Sequence, residues 1–291
     1  MAARCVWPGQ CLLGEGPVWD ERIASLHFVD LKGGALHSWS GAQGVRTWHL
    51  GGLVTALALT ESAQAILCVT ANGLERISLE SGARHLVSGP LAAAPGMRPN
   101  DGTCDPQGNL WVGTMDDAEQ RFDGVLYRIP IGEPPQAKLD RIGVSNGLGW
   151  SPDGTVFYFT DSLRRAIYRF DFDAGTGALG ERHLFADFGE GEGAPDGLAV
   201  DRAGYVWSAI WDGACILRYA PDGTIDRRID LPVLRPTSLA FGGPDLATLY
   251  VTSARIGLSD AALEKAPLSG ALFAIEPGVQ GLPATLARIR S

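Results

Sequence analysis

Apolar and polar positions fall into short runs that repeat along the chain. Leu26-His-Phe-Val-Asp30, Ile66-Leu-Cys-Val-Thr70, Leu110-Trp-Val-Gly-Thr114, Val156-Phe-Tyr-Phe-Thr160, Tyr205-Val-Trp-Ser-Ala209 and Leu249-Tyr-Val-Thr-Ser253 are rich in β-branched and aromatic residues. Runs of this length and type read as buried strands. Some nine to twelve positions before each stands a residue with a side-chain oxygen that opens an earlier run: Glu15, Thr55, Asn100, Asn146, Asp196 and Thr237. Turn residues such as Asp105-Pro-Gln-Gly108 and Ser151-Pro-Asp-Gly154 separate the two runs, as a hairpin requires. A third strand follows (Gly124-Val-Leu-Tyr-Arg128, Cys215-Ile-Leu-Arg-Tyr219), and in most repeats a weaker, more polar fourth, such as Gly180–Phe185. The pattern predicts an all-β fold, a six-bladed β-propeller of four-stranded antiparallel blades. No blade buries both faces alone, so one domain over 1–291 is expected. One short helix is expected, from Ser259 or Asp260 to Lys265, with Ser-Asp as its cap.

The six oxygen residues are spaced by 40, 45, 46, 50 and 41 positions. Repeats of that period close into an array, and the first strand of each propeller blade lines the central channel. All six side chains are therefore expected at one mouth of the channel. Glu15 and Asp196 are the charged pair, and two buried carboxylates repel unless a cation or a proton intervenes. Asn146 and Asn100 add neutral oxygens. Such hard donors suit Ca²⁺, Mg²⁺ or Mn²⁺, and ligand type alone leaves Zn²⁺ and Fe(II) open. Asn-Gly and Asp-Gly are also common turn dipeptides, so Asn146-Gly147 and Asp196-Gly197 taken singly read as turns; their register with Glu15 favours a site. Thr55 and Thr237 read as strand formers. Arg98 lies beside Asn100 and is suited to a substrate hydroxyl or carboxylate. Asp30, Asp116 and Asp161 end second strands and are expected to bond turn amides. Gly143-Val-Ser-Asn-Gly147 matches the nucleophile elbow, but the residues after it read as strand and turn where that motif needs a helix.

The chain has 291 residues, 45% of them hydrophobic, with 38 Gly and 18 Pro spread throughout. That composition suits many short strands and turns. A formal charge of −9 argues against nucleic acid or an anionic membrane as partner. Five cysteines without a CxxC pair read as small buried hydrophobes in a reducing compartment. Neither a signal-peptide core nor an apolar run of membrane-spanning length is present in the sequence. The expectation is a cytoplasmic monomer acting on a small molecule. The five histidines lack metal-binding spacing.

Leu13-Gly-Glu-Gly-Pro-Val-Trp19, Arg98-Pro-Asn-Asp-Gly102, Gly113-Thr-Met115, Ser145-Asn-Gly147, Ser151-Pro-Asp-Gly154, Pro195-Asp-Gly197 and Thr252-Ser-Ala-Arg255 follow one another across almost the whole chain. In these motifs the sequence resembles the SMP-30/gluconolactonase/regucalcin family, especially its bacterial sugar lactonases. The resemblance implies one catalytic divalent metal ion and hydrolysis of aldonolactones. It implies Glu15, Asn146 and Asp196 as metal ligands and Arg98 and Asn100 as substrate-binding residues. Some animal members carry a sugar-contacting glutamate at the position of Ala118, for which Asp117 or Glu119 is the substitute here. Asp196 is the expected base. The alternatives are a non-catalytic Ca²⁺-binding propeller, or an esterase or phosphotriesterase on the same centre.

Overall fold

The computed structural model describes residues 2–92, 94–130 and 132–288. The ends of the expected 1–291 domain, and position 93 of the loop over 88–97, lie outside the described residues. Six antiparallel sheets form the blades. The inner strands are Gly14–Asp20, Val54–Leu59, Met97–Cys104, Ser145–Trp150, Ala194–Val200 and Pro236–Gly242. Each packs against the inner strands of both neighbours, and the sixth meets the first, so the array is a closed ring. The six-bladed propeller expected from the repeat is the observed fold.

The sixth blade is completed from the other end of the chain. Its order is Arg4–Trp7, Leu272–Ile275, Thr248–Ser253, Pro236–Gly242. Arg4 and Cys5 pair with Ala274 and Phe273, so the N-terminal strand covers the apolar edge of Leu272–Ile275 and fastens the ring. The repeat pattern does not reveal this, because that strand lies more than 230 residues from the blade it joins. In the fourth blade the outer strand is His183–Asp187, shifted from the expected Gly180–Phe185; the two-residue Ala178–Leu179 pairs separately with the end of the long third strand. The short helix Asp260–Lys265 forms as expected, with Ser259 Oγ accepting from Ala262 N.

The hydrophobic core lies between blades, where Trp111, Trp207, Phe28, Phe157, Phe170 and Phe273 are all fully buried. Polar pins recur within it. Asp105 accepts from Asn109 and from Trp111 Nε1, and pairs with Arg128. Asp201 repeats the arrangement with Trp207 Nε1 and Arg218. A buried carboxylate held by an indole, turn amides and a guanidinium is fully satisfied. All five cysteines are free thiols; Cys11, Cys68, Cys104 and Cys215 are buried as expected, whereas Cys5, on the closing strand Arg4–Trp7, is only partly buried. No described helix is long and apolar enough to cross a membrane.

Candidate active site

Every inner strand breaks register with its neighbour at the repeated oxygen position. The irregularities fall between Glu15 and Val18, Val54 and Ala56, Pro99 and Gly102, Asn146 and Leu148, Pro195 and Leu198, and Pro236 and Leu239. A bulge inserts an extra residue and re-aims its side chain. The six oxygen-bearing residues sit at these bulges, and all six are buried. Gly147 and Gly197, which follow two of the ligand candidates, lie within inner strands and not in turns. A Cβ on Gly147 would stand 2.6 Å from both the Asp196 carbonyl oxygen and Thr160 Oγ1. A Cβ on Gly197 would stand 2.6 Å from Ser238 Cβ and 2.7 Å from its Cα. Each glycine is needed because the next inner strand approaches closely.

The centre concentrates negative charge. Glu15 is buried and accepts one hydrogen bond, from Gly16 N at 3.1 Å. Burial and the charge of Asp101 push its carboxyl far above the usual range, and Gly16 N–H and Arg98 offset this only in part. Burial likewise raises Asp101, which accepts from Gly102 N at 2.7 Å. Asp196 is raised well above the usual carboxylate range, by burial and then by Glu15, Asp101 and Glu119. Its Oδ1 is buried without a hydrogen-bond partner. Asp101 was not singled out from the sequence; its only signal is its place in Asn100-Asp-Gly102.

This donor set fits a hard divalent cation. Two carboxylates and the amide oxygen of Asn146 are oxygen donors of the kind such an ion takes, and an orphaned buried oxygen beside repelling carboxylates is what a cation would relieve. Among the described residues no cluster of three or more His, Cys, Asp or Glu forms a ready ligand cage. Thr237 is not available, since its hydroxyl donates to Gly14 O and bonds Thr252 Oγ1. Thr55 Oγ1 is buried and unpartnered.

A polar chain leads outward from the centre. Arg98 Nη1 donates to Asn100 Oδ1 at 2.5 Å, and Asn100 Nδ2 donates to Ser145 O and Asn146 Oδ1, both at 2.8 Å. Arg98 Nε donates to Asp117 Oδ1 at 2.5 Å, which also receives Lys32 Nζ at 2.6 Å. Those two cations hold the Asp117 carboxyl below its ordinary value, Lys32 foremost. Asp117 is half exposed whereas Arg98 is 7% exposed, so the ion pair caps the centre from outside. Lys32 comes from the Leu31-Lys-Gly-Gly34 turn, 85 residues away in sequence, and no local pattern marks it. Glu119 is exposed, with φ 56, and near enough for its charge to raise Asp196.

The remaining motifs behave as structure. Asp30 accepts from Leu12 N, Leu13 N and Gly33 N, and Asp161 from Gly143 N and Val144 N, so both clamp the start of an inner strand. Asp116 accepts from Gln120 N and pairs with Arg121. Ser145 opens a strand that runs through Trp150 into a hairpin with Val156–Asp161, so the elbow motif has no helix after it.

Comparison with known proteins fits this architecture. The family model for the SMP-30/gluconolactonase/LRE-like region matches residues 13–255. The chain is 34% identical over 286 residues to pentonolactonase XacC of Haloferax volcanii, covering 96% of each chain. It is 36% identical over 280 residues to 6-deoxy-6-sulfogluconolactonase of Pseudomonas putida, again covering 96% of each. Among solved structures, a calcium-binding protein, regucalcin from Agrobacterium tumefaciens, superposes with a TM-score of 0.94 at 32% identity, covering 99% of this chain and 97% of the other.

Proposed function

The chain belongs to the SMP-30/gluconolactonase/LRE-like family, and from that premise we propose that it hydrolyses a sugar-acid lactone to the aldonic acid with the help of one divalent metal ion. The curated relatives named above are a pentonolactonase and a sulfogluconolactonase, which supports a hydrolase acting on lactone esters. The observation that supports the metal is the hub itself: Glu15 and Asp196 are buried, each raised by that burial and by the other carboxylates around it, and Asp196 Oδ1 has no partner.

Glu15, Asn146 and Asp196 would hold the ion. Once bound, it supplies Lewis-acid polarisation of the lactone carbonyl. Ca²⁺, Mg²⁺, Mn²⁺, Zn²⁺ and Fe(II) all accept such donors. The protein's own groups do the rest. Asp196 takes a proton from the attacking water and returns it to the ring oxygen as the C–O bond breaks. Water adds across the acyl–oxygen bond, and the product acid then ionises. Arg98 keeps Nη2 free of any described hydrogen bond and offers it to a sugar hydroxyl, with Asn100 beside it. Asp117 fixes the guanidinium in that pose, and Glu119 adds a carboxylate for a further hydroxyl. Holding the lactone in a near-attack pose is the expected contribution of this shell.

A pH-indicator assay over pentono- and hexonolactones, with paraoxon as control and with EDTA, tests the reading. Lactones should turn over, paraoxon should not, and EDTA should abolish turnover. Asp196→Ala and Glu15→Gln should lose metal and activity together, while Arg98→Ala should chiefly raise KM. Full turnover by Asp196→Ala with metal still bound would refute the scheme.

A further inference from the structure

The polar chain around the centre continues past Asn146 into the next blade, through a residue to which no role has been assigned. Asn146 Nδ2 donates to Ser162 Oγ at 2.9 Å, and Ser162 Oγ donates to Pro195 O at 2.6 Å. Pro195 directly precedes Asp196. The two side-chain links therefore connect one ligand candidate to the backbone that carries another, across the gap between blades four and five.

The direction of this chain is fixed by chemistry. A guanidinium only donates, so Arg98 requires Asn100 to turn its oxygen outward. Backbone carbonyls only accept, so Ser145 O requires the Asn100 nitrogen on its side. That nitrogen then donates to Asn146, which must present Oδ1 to it and Nδ2 to Ser162. At the far end Pro195 O can only accept, so the Ser162 hydroxyl gives its proton there and keeps its lone pairs for Asn146. An obligatory donor at one end and obligatory acceptors along the way leave each amide one orientation. A turned Asn146 would set two N–H groups against each other at Asn100.

We propose that Ser162 is a positioning residue of the centre: its hydroxyl fixes the amide of Asn146 with the oxygen inward and ties it to the strand that delivers Asp196. The inference rests on the reading of Asn146 and Asp196 as ligands. Groups that orient metal ligands through their second polar atom typically matter about 10–100-fold in metal affinity when removed. Ser162 is only partly buried and lies outside the core, so its loss leaves the blade packing in place.

Mn²⁺ binding to the metal-free chain, measured by titration calorimetry, is the test. Ser162→Ala should bind Mn²⁺ about 10–100-fold more weakly than wild type, with a metal-free Tm close to wild type. Ser162→Thr keeps a hydroxyl and should restore most of the affinity, which a general loosening of the blade would not allow. Wild type that binds Mn²⁺ together with Ser162→Ala that binds it equally well overturns this inference alone. A wild-type chain that takes up no Mn²⁺ overturns the metal reading and this inference with it.

Discussion

Raising the pH should destabilise the metal-free protein and leave the metal-loaded protein nearly unaffected. Glu15 is pushed up from 4.5 to about 8 and Asp196 well above its ordinary value, chiefly by burial and then by neighbouring carboxylates. An acid whose folded pKa is raised binds more protons folded than unfolded, so stability falls as pH rises toward the folded value. Two buried histidines act in a separate window. Burial lowers His27 and His37 from 6.5 to about 4, so their contribution is complete above 6.5 and is lost as pH falls toward 4. Between pH 6.5 and 8 the carboxylates therefore dominate. One carboxyl that must give up its proton over those 1.5 units costs about 2 kcal/mol, at about 1.4 kcal/mol per unit. At roughly 2–4 °C per kcal/mol for chains a little smaller than this one, the metal-free Tm should fall by roughly 4–8 °C. A bound divalent cation takes the place of the protons and should remove the slope. Thermal unfolding at pH 6.5, 7.2 and 8.0, in EDTA and in saturating Ca²⁺ or Mn²⁺, measures both curves. A metal-free Tm that stays flat or rises across this window would show that Glu15 and Asp196 do not share a buried centre.

Two further outcomes follow from the packing. Gly147→Ala brings a Cβ to 2.6 Å from the Asp196 carbonyl oxygen and Thr160 Oγ1; overpacking of this kind costs about 1–3 kcal/mol, and because it presses on the Asp196 strand, metal affinity should fall along with the denaturation midpoint. Removal of residues 2–8 deletes the strand that pairs with Leu272–Ile275, leaving a fully buried apolar strand as an open edge; the truncated chain should unfold at lower temperature and elute as larger species than the intact chain on size exclusion, and an unchanged Tm and elution profile would refute the stabilising role of this strand.

The shared phase of the candidate residues was legible before the fold. The spacing of Glu15, Asn100, Asn146 and Asp196 carries over because a propeller uses each repeat in the same way, and all four lie at the bulges of inner strands. The role of the glycines was not legible. Asn146-Gly147 has the composition of a turn, and only the proximity of the fifth blade shows that the glycine leaves room for a neighbouring backbone. Asp117, a candidate sugar contact, also pairs with Arg98 and Lys32, and no local pattern announces that ion pair.

By itself the sequence determined what local chemistry dictates: strand periods of two, turn residues between them, a repeat of about 45 positions, and oxygen donors at one phase of that repeat. Which of those donors remain available and which are engaged elsewhere is set by the packing of the blades around the ring. Thr237 is taken up by Gly14 O, Asn100 by Arg98 and Asn146, and Asp196 Oδ1 is left without a partner. The physical reason is that hydrogen bonds and buried charges are settled by through-space neighbours, and ring closure brings together groups tens to hundreds of residues apart in the chain.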